Sequence, residues 1–177
     1  MLTYTQMAES VFGHAKAVAK GLRHREVSAI HILLALAAEK SGLACLVLQK
    51  HGLYADKIMK TISSHLRFPV FSDDKQVPND LPWSFAAQFV STSAKTEASY
   101  LGHNYVGVEH ILLAMTRLSS GQWFELASQS EMESIREEIF SLLGFHRRQT
   151  ISQDEIAERL LAINREVEGL MKAIQGG

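Results

Sequence analysis

Cysteine is almost missing from this chain. Cys45 is the single one among 177 residues, so no intrachain disulfide can form, and a reducing compartment, the cytoplasm, is the expected location. It lies among Leu43, Leu46 and Val47, where a thiol serves as a small hydrophobe rather than as a nucleophile. Charge of either sign is also in short supply as a net quantity. Eighteen basic against 19 acidic side chains leave −1, which gives no field to gather nucleic acid or an anionic membrane. No stretch approaches the roughly 18 uninterrupted apolar residues of a membrane span, and Met1–Ser10 lacks the basic-then-apolar order of a secretory leader. A soluble, unexported protein is expected. Period-two runs of β-branched residues are absent, which excludes a sheet protein. Proline is confined to Pro69, Pro78 and Pro82, in one stretch that also carries Ser72, Asp73, Asp74, Asn79 and Asp80. That stretch reads as a linker.

What is present is a repetition. Leu22, His24, Val27, His31, Ile32, Leu33, Leu34 and Ala35 recur as Leu101, His103, Val106, His110, Ile111, Leu112, Leu113 and Ala114, 79 residues later and without a gap. Upstream, Ala8, Ala15, Lys16 and Ala19 match Ala87, Ala94, Lys95 and Ala98, and downstream Ser41-Gly42 matches Ser120-Gly121. A duplication of this length sets the architecture and points to a groove between two similar halves.

Apolar spacing within each copy is helical. In the first, a helix from about Thr5 to Arg23 is followed by a turn through His24-Arg25-Glu26-Val27. Ser28 then caps a second helix that Gly42 breaks, and helices over Leu43–Lys50 and Ala55–Leu66 complete the unit. In the second, helices are expected over Trp83–Leu101, Gly107–Leu118, Gln122–Gln129 and Glu131–Leu143; the last aligns when two residues at the His51-Gly52 turn are dropped, so that Ile58 and Ile62 meet Ile135 and Ile139. The reading is an all-α chain, a pseudo-twofold duplication of a four-helix unit with eight helices. Repeat one spans 1–67, the linker 68–82 and repeat two 83–147, with 148–177 holding a further linker and a C-terminal amphipathic helix. Ser152-Gln153-Asp154-Glu155 has the form of a capping box, and Ile156, Leu160, Ile163, Val167, Leu170 and Ile174 form a heptad seam. Three uses stay open for that helix: packing on the repeats, pairing with a second copy as a homodimer, or beginning a longer coiled coil.

The motif residues His24, Val27 and His31, with His103, Val106 and His110, invite a metal reading. These histidines stand seven apart across a turn, without an acidic or cysteine ligand at matching places in both copies, whereas helical metal ligands come three or four apart. Hydrogen bonding of exposed backbone at the corner between two helices accounts for them better. Gly102 and Gly107 have the spacing of a nucleotide loop, but Val108-Glu109 stands where Lys and Ser or Thr are needed. No nucleophile elbow occurs. No catalytic residue, metal or cofactor is expected; a histidine-dependent metallohydrolase is the remote alternative. His146-Arg147-Arg148 reads as solvated loop, and Trp83, Phe85, Phe89, Trp123 and Phe124 mostly as core, with lining of a binding groove by one or two of them as the alternative.

The two copies of His-x-x-Val-x-x-x-His-Ile-Leu-Leu-Ala, each preceded by an alanine-rich helix and followed by Ser-Gly and a short apolar segment, resemble the amino-terminal double-repeat domain of Clp-type AAA+ unfoldases over about Leu2–Leu143. The resemblance implies a non-catalytic module that recruits protein substrates or adaptor proteins to a Clp-type ATPase ring, in cis as part of a larger chain or in trans as an accessory protein that regulates the complex. In one branch of that family each repeat reads phosphorylated arginine through the acidic residue before the second histidine. Glu109 holds that place here and Ile30 replaces it in the first copy, and a carboxylate pairs with guanidinium where isoleucine cannot. At most one such site is expected. Ala29 and Ile30 in the first copy, with Tyr105, Val108 and Glu109 in the second, are the candidate partner-contacting residues.

Overall fold

Apolar residues recurring at three- and four-residue steps organise the chain. The structure, a computed structural model, describes residues 2–145 except His65, Leu66 and Ser120, and of Gln122 and Phe124 the backbone alone. The described elements are β1 (Thr3–Tyr4), α1 (Gln6–Gly21), α2 (Ala29–Ala38), α3 (Leu43–Lys50), α4 (Ala55–Ser64), α5 (Phe85–Tyr100), β2 (Tyr105–Val106), α6 (Val108–Met115) and α7 (Gln129–Leu142), with 3-10 turns at Asp74–Gln76 and Gln122–Glu125. The described residues up to Gly144 form one compact unit. The heptad residues Ile156 to Ile174 lie outside the described residues.

Helices α2 and α6 are apolar on nearly every side, burying nine of ten and seven of eight residues, so they form the centre. α1 packs on α2 and α5 on α6 through equivalent stripes, Ala8, Val11, Ala15 and Ala19 against Ala87, Val90, Ala94 and Ala98, all fully buried. Small side chains let the paired helices approach closely. Thr5 and Ser84, again equivalent, cap α1 and α5, each side-chain oxygen accepting from a backbone N–H at 3.2 Å.

The second copy departs from the first at its third helix. Six residues, Gln122 to Ala127, separate Gly121 from the cap at Ser128, where the first copy has eight in α3 alone. Ser128 and Glu131 form a capping box, with Glu131 Oε2 accepting from Ser128 N at 2.7 Å. It starts α7 early and leaves room for only one 3-10 turn. The other departure is β1 and β2, a parallel two-residue pair that aligns Thr3 with Tyr105 and Tyr4 with Val106. A ladder this short has no periodicity to betray it. Its equivalent in the other half is the bridge of Val27 to Trp83, so each copy's leading arm pairs with the other copy's corner.

At each corner two histidines make one hydrogen-bonded chain. Ser28 N donates to His31 Nδ1 at 2.9 Å, and His31 Nε2 lies 2.8 Å from His24 Nδ1. In the second copy Gly107 N donates to His110 Nδ1 at 2.8 Å and His110 Nε2 lies 2.8 Å from His103 Nδ1. A backbone N–H can only donate, so the inner histidine is the Nε2–H tautomer and donates to its partner. The inner residue takes the place of Glu or Gln in a capping box. The linker covers the first corner: Phe68 stacks on His24 with ring centroids 4.1 Å apart, and Arg25 N donates to Pro69 O at 3.0 Å. Burial, then the neighbouring histidine, pushes His31 and His110 each down to about 4.

The repeats also differ inside. Glu97, fully buried, accepts from Arg117 Nε and from Arg136, whose two terminal nitrogens lie 3.1 and 2.9 Å from its carboxylate oxygens. Arg136 further donates to Leu113 O at 3.1 Å and Thr116 Oγ1 at 3.2 Å. The equivalent residues of the first copy are Val18, Ala38 and Met59, so an ionic knot replaces an apolar contact.

An unfolded histidine titrates near 6.5 and the two inner ones near 4, so between those values the unfolded chain binds protons that the folded one refuses. Stability is therefore complete above about pH 6.5–7 and declines as pH falls towards 4, by up to about 3 kcal/mol per copy. Urea unfolding between pH 7.5 and 4.5 will show that decline in the native chain and a flatter profile in His31→Gln/His110→Gln; equal slopes refute the assignment. Glu97→Val leaves the largely buried Arg136 guanidinium without its carboxylate, while the half-exposed Arg117 turns to solvent, and costs about 3 kcal/mol, whereas Glu97→Val/Arg117→Ala/Arg136→Met, which copies the first repeat, recovers most of it. A triple variant no more stable than the single one contradicts the equivalence.

Candidate functional site

The crossing of the two arms leaves a groove between α1 and α5. Tyr4 reaches over from β1, its hydroxyl donating to Ser91 O at 2.9 Å, and its ring meets Phe12 edge-on at 5.3 Å. Phe12 in turn meets Trp83 edge-on at 5.7 Å. Beside these rings is an open cavity of about 550 Å³, walled by Phe12, Gly13 and Lys16 of α1, by Gln88, Ser91 and Thr92 of α5, and by Trp83. Phe12 is equivalent to Ser91, and Gly13 to Thr92, so the pseudo-twofold axis runs through the cavity. Lysines flank it in matching places: Lys16 Nζ sits 5.6 Å above the Trp83 ring and Lys95 Nζ 5.5 Å above that of Tyr4.

A second cavity, of about 460 Å³, opens at the first corner. Two of the residues expected to meet partners, Ala29 and Ile30, line it, together with Leu118 and Trp123; Phe85 stands on its rim, 86% exposed. Phe85 therefore departs from the core role expected of it, because it is the first residue of α5 and projects beyond the packed stripe. Trp123 is buried, and Trp83 and Phe89 are half-buried.

The other three candidates, Tyr105, Val108 and Glu109, occupy the second corner, where the equivalent space is filled. Met7 stands where the first corner has Ala86, and its sulfur comes within 3.0 Å of the point where Gly42 would carry a Cβ, with Val108 Cγ2 at 3.4 Å. Among the described residues nothing lies within 4 Å of that point on the equivalent Gly121. Glu109 is folded back over the first turn of α6, its side chain 12% exposed and its Oε1 3.4 Å from His110 Nδ1. There the carboxylate faces the positive end of the helix dipole. Its oxygens fall within 2.4 Å of a Cβ placed on Gly107, so glycine at the cap is what admits this fold-back.

His103, Glu109 and His110 bring possible ligand atoms within 4.8 Å of one another. They are spoken for, however. His110 uses its Nδ1 lone pair on Gly107 N and its Nε2 proton on His103, so a metal ion taking either nitrogen would break a bond of the capping chain. The first copy keeps the same chain with Ile30 in place of the carboxylate, which marks the histidines as corner-builders. Cys45 is buried, with Gln49 Nε2 3.2 Å from its sulfur, and burial pushes its thiol up, away from reactivity.

The duplication points to a groove between the halves, but not to the residues that wall it, apart from a signal in the repeat itself. Lys16 and Lys95 recur on faces of α1 and α5 that do not enter the core, and an exposed match between copies points to a shared seam. Among the described residues no single helix is long and apolar enough to cross a membrane.

Comparison with known proteins agrees with this geometry. Residues 3–130 match a family model described as the Clp repeat (R) N-terminal domain. The chain is 30% identical to the negative regulator of genetic competence ClpC/MecB of Bacillus subtilis (strain 168) over a 190-residue alignment that takes in 97% of this chain and 23% of that one. It is 28% identical to the chaperone protein ClpB of Oceanobacillus iheyensis, over 96% of this chain and 20% of the relative. It thus spans about a fifth of the length of these relatives. Among solved structures, the Hsp104 N-terminal domain from Candida albicans superposes with a TM-score of 0.64 at 18% identity, covering 82% of this chain and 94% of that one. The N-terminal domain of the chaperone ClpD from Arabidopsis thaliana gives 0.61 at 18% identity, covering 80% and 94%. Duplicated corners, exchanged arms and matched family together show that the chain belongs to the Clp repeat N-terminal domain family.

Proposed function

We propose that this chain is a cytoplasmic protein-binding module that brings substrates or adaptor proteins to a Clp-type AAA+ unfoldase and performs no catalysis itself. The observation that carries the reading is the seam groove, an open cavity of about 550 Å³ walled by Phe12 and Trp83. Aromatic side chains left at a concave surface offer apolar area to a partner segment. Relatives that the chain matches over part of their length include the ATP-dependent Clp protease ATP-binding subunit ClpC of Staphylococcus aureus (strain USA300), 31% identical over 66% of this chain. Such an ATPase is the natural recipient of what the module holds.

Fluorescein-labelled casein, a polypeptide without stable structure, tests the reading by anisotropy. Binding to the 177-residue chain is expected, weakened at least tenfold in Trp83→Ala and Phe12→Ala variants whose circular dichroism is unchanged. Full-strength binding by both variants, or none by the native chain, refutes it. A phosphoarginine peptide forms the second arm: binding abolished by Glu109→Gln assigns the second corner to that ligand, and binding indifferent to the substitution removes Glu109 from recognition.

A further inference from the structure

We infer that the seam groove selects extended segments that carry an apolar side chain next to an acidic one, with Gly13 keeping the floor low for the visitor's main chain. This rests on the groove being a protein-binding site and names what it prefers.

The first observation is a glycine that the fold itself does not need. Gly13 lies in the middle of α1, where glycine is destabilising relative to alanine. A Cβ placed there would meet nothing within 4 Å, and yet the residue lines the cavity. Among the described residues no neighbour requires its smallness. What a missing side chain offers at that point is close approach for another backbone; Thr92 and Gln88 line the facing wall, the Gln88 amide nitrogen donating to Trp83 O at 2.8 Å.

The second observation is an inequality between two equivalent cations. Lys16 donates to Asp80 Oδ1 at 2.8 Å, so its charge is already answered. Lys95 has only the Tyr4 ring beneath it among the described residues, at 5.5 Å. That same ring holds Ser91 of the cavity wall through its hydroxyl, which puts the ammonium group one ring away from the groove. A carboxylate beside the apolar anchor completes Lys95 as Asp80 completes Lys16, and a basic residue in that place would be repelled.

Three fluorescein-labelled twelve-residue peptides test this, each with one central phenylalanine, flanked by Asp and Glu, by Ser and Gly, or by Lys. At low salt the acidic peptide is expected to bind at least tenfold more tightly than the basic one, with the preference shrinking as salt is added. Lys95→Glu is expected to reverse the order. Gly13→Leu is expected to weaken the acidic peptide at least tenfold while raising the thermal midpoint by about 2–4 °C, a loss of binding that misfolding does not explain. Equal binding of the three peptides, preference for the basic one, or undiminished binding by Gly13→Leu overturns the inference. So does self-association of the native chain that Gly13→Leu abolishes, since the groove's occupant is then a second copy. If labelled casein binds at Trp83 while the peptides show no order, only the charge preference falls; if neither casein nor any peptide binds, the protein-binding reading falls with it.

Discussion

Val27 and Val106 are fully buried at the two corners, and their peptide groups find partners only across the duplication. Val27 N donates to Pro82 O at 2.8 Å and Ser84 N to Val27 O at 2.9 Å, while Thr5 N donates to Val106 O, also at 2.9 Å. A buried backbone group left without a partner costs about 1–3 kcal/mol, so each repeat relies on the other's arm to close its corner. The histidine chains cap the helices that begin there, the linker lies over the first of them, and the seam groove is the space that the crossing arms enclose. Neither half is a free-standing unit. The duplication is a single folding problem solved in two reciprocal pieces.

Under that shared frame the copies have diverged wherever the frame does not constrain them. The capping histidines, corner valines and alanine stripes are kept in both copies, because changing any of them disturbs the exchange. The place taken by Val18 in one copy holds Glu97 in the other, and the two arginines that answer it occupy the places of Ala38 and Met59. The corners diverged in the same manner. Ile30, Ala86, Leu118 and Trp123 leave an apolar hollow, whereas their equivalents Glu109, Met7, Glu39 and Ala44 include two carboxylates and a methionine that fills the space.

What the sequence displayed, it displayed through local pattern. The alanine stripes, the cap at Ser28, the linker marked by its prolines and the histidine corner are each written within a few residues, and the offset of 79 ties the copies together. The arm exchange was hidden because it joins Thr3 to Tyr105 through two residues of ladder, too few to show a period. The two-residue shortening was visible, but its effect was not, since the early cap at Ser128 moved the loss into the third helix. Glu97, Arg117 and Arg136 look like ordinary helix-surface charges until their apolar equivalents are set beside them. The candidate residues were placed at the corners because the repeated motif lies there. The duplication announces a groove between the halves but not its lining, because apart from Lys16 the residues that wall it do not repeat.

That last property has a physical reason. Each corner exists twice, but there is only one seam, and two pairs of equivalent residues face each other across it. Had Ser91 been phenylalanine like Phe12, the two rings would fill the groove from both sides; had Gly13 been threonine like Thr92, its floor would rise. A groove on a twofold axis stays open only when the copies differ along it. The same inequality gives it direction: a bound polypeptide runs one way from N- to C-terminus, and a strictly symmetric cleft would hold it equally well in either sense. Phe12 against Ser91, Gly13 against Thr92 and an answered Lys16 against an unanswered Lys95 make the two ends unlike. The duplication builds the frame twice over, and the departures from it at the axis turn that frame into an oriented surface.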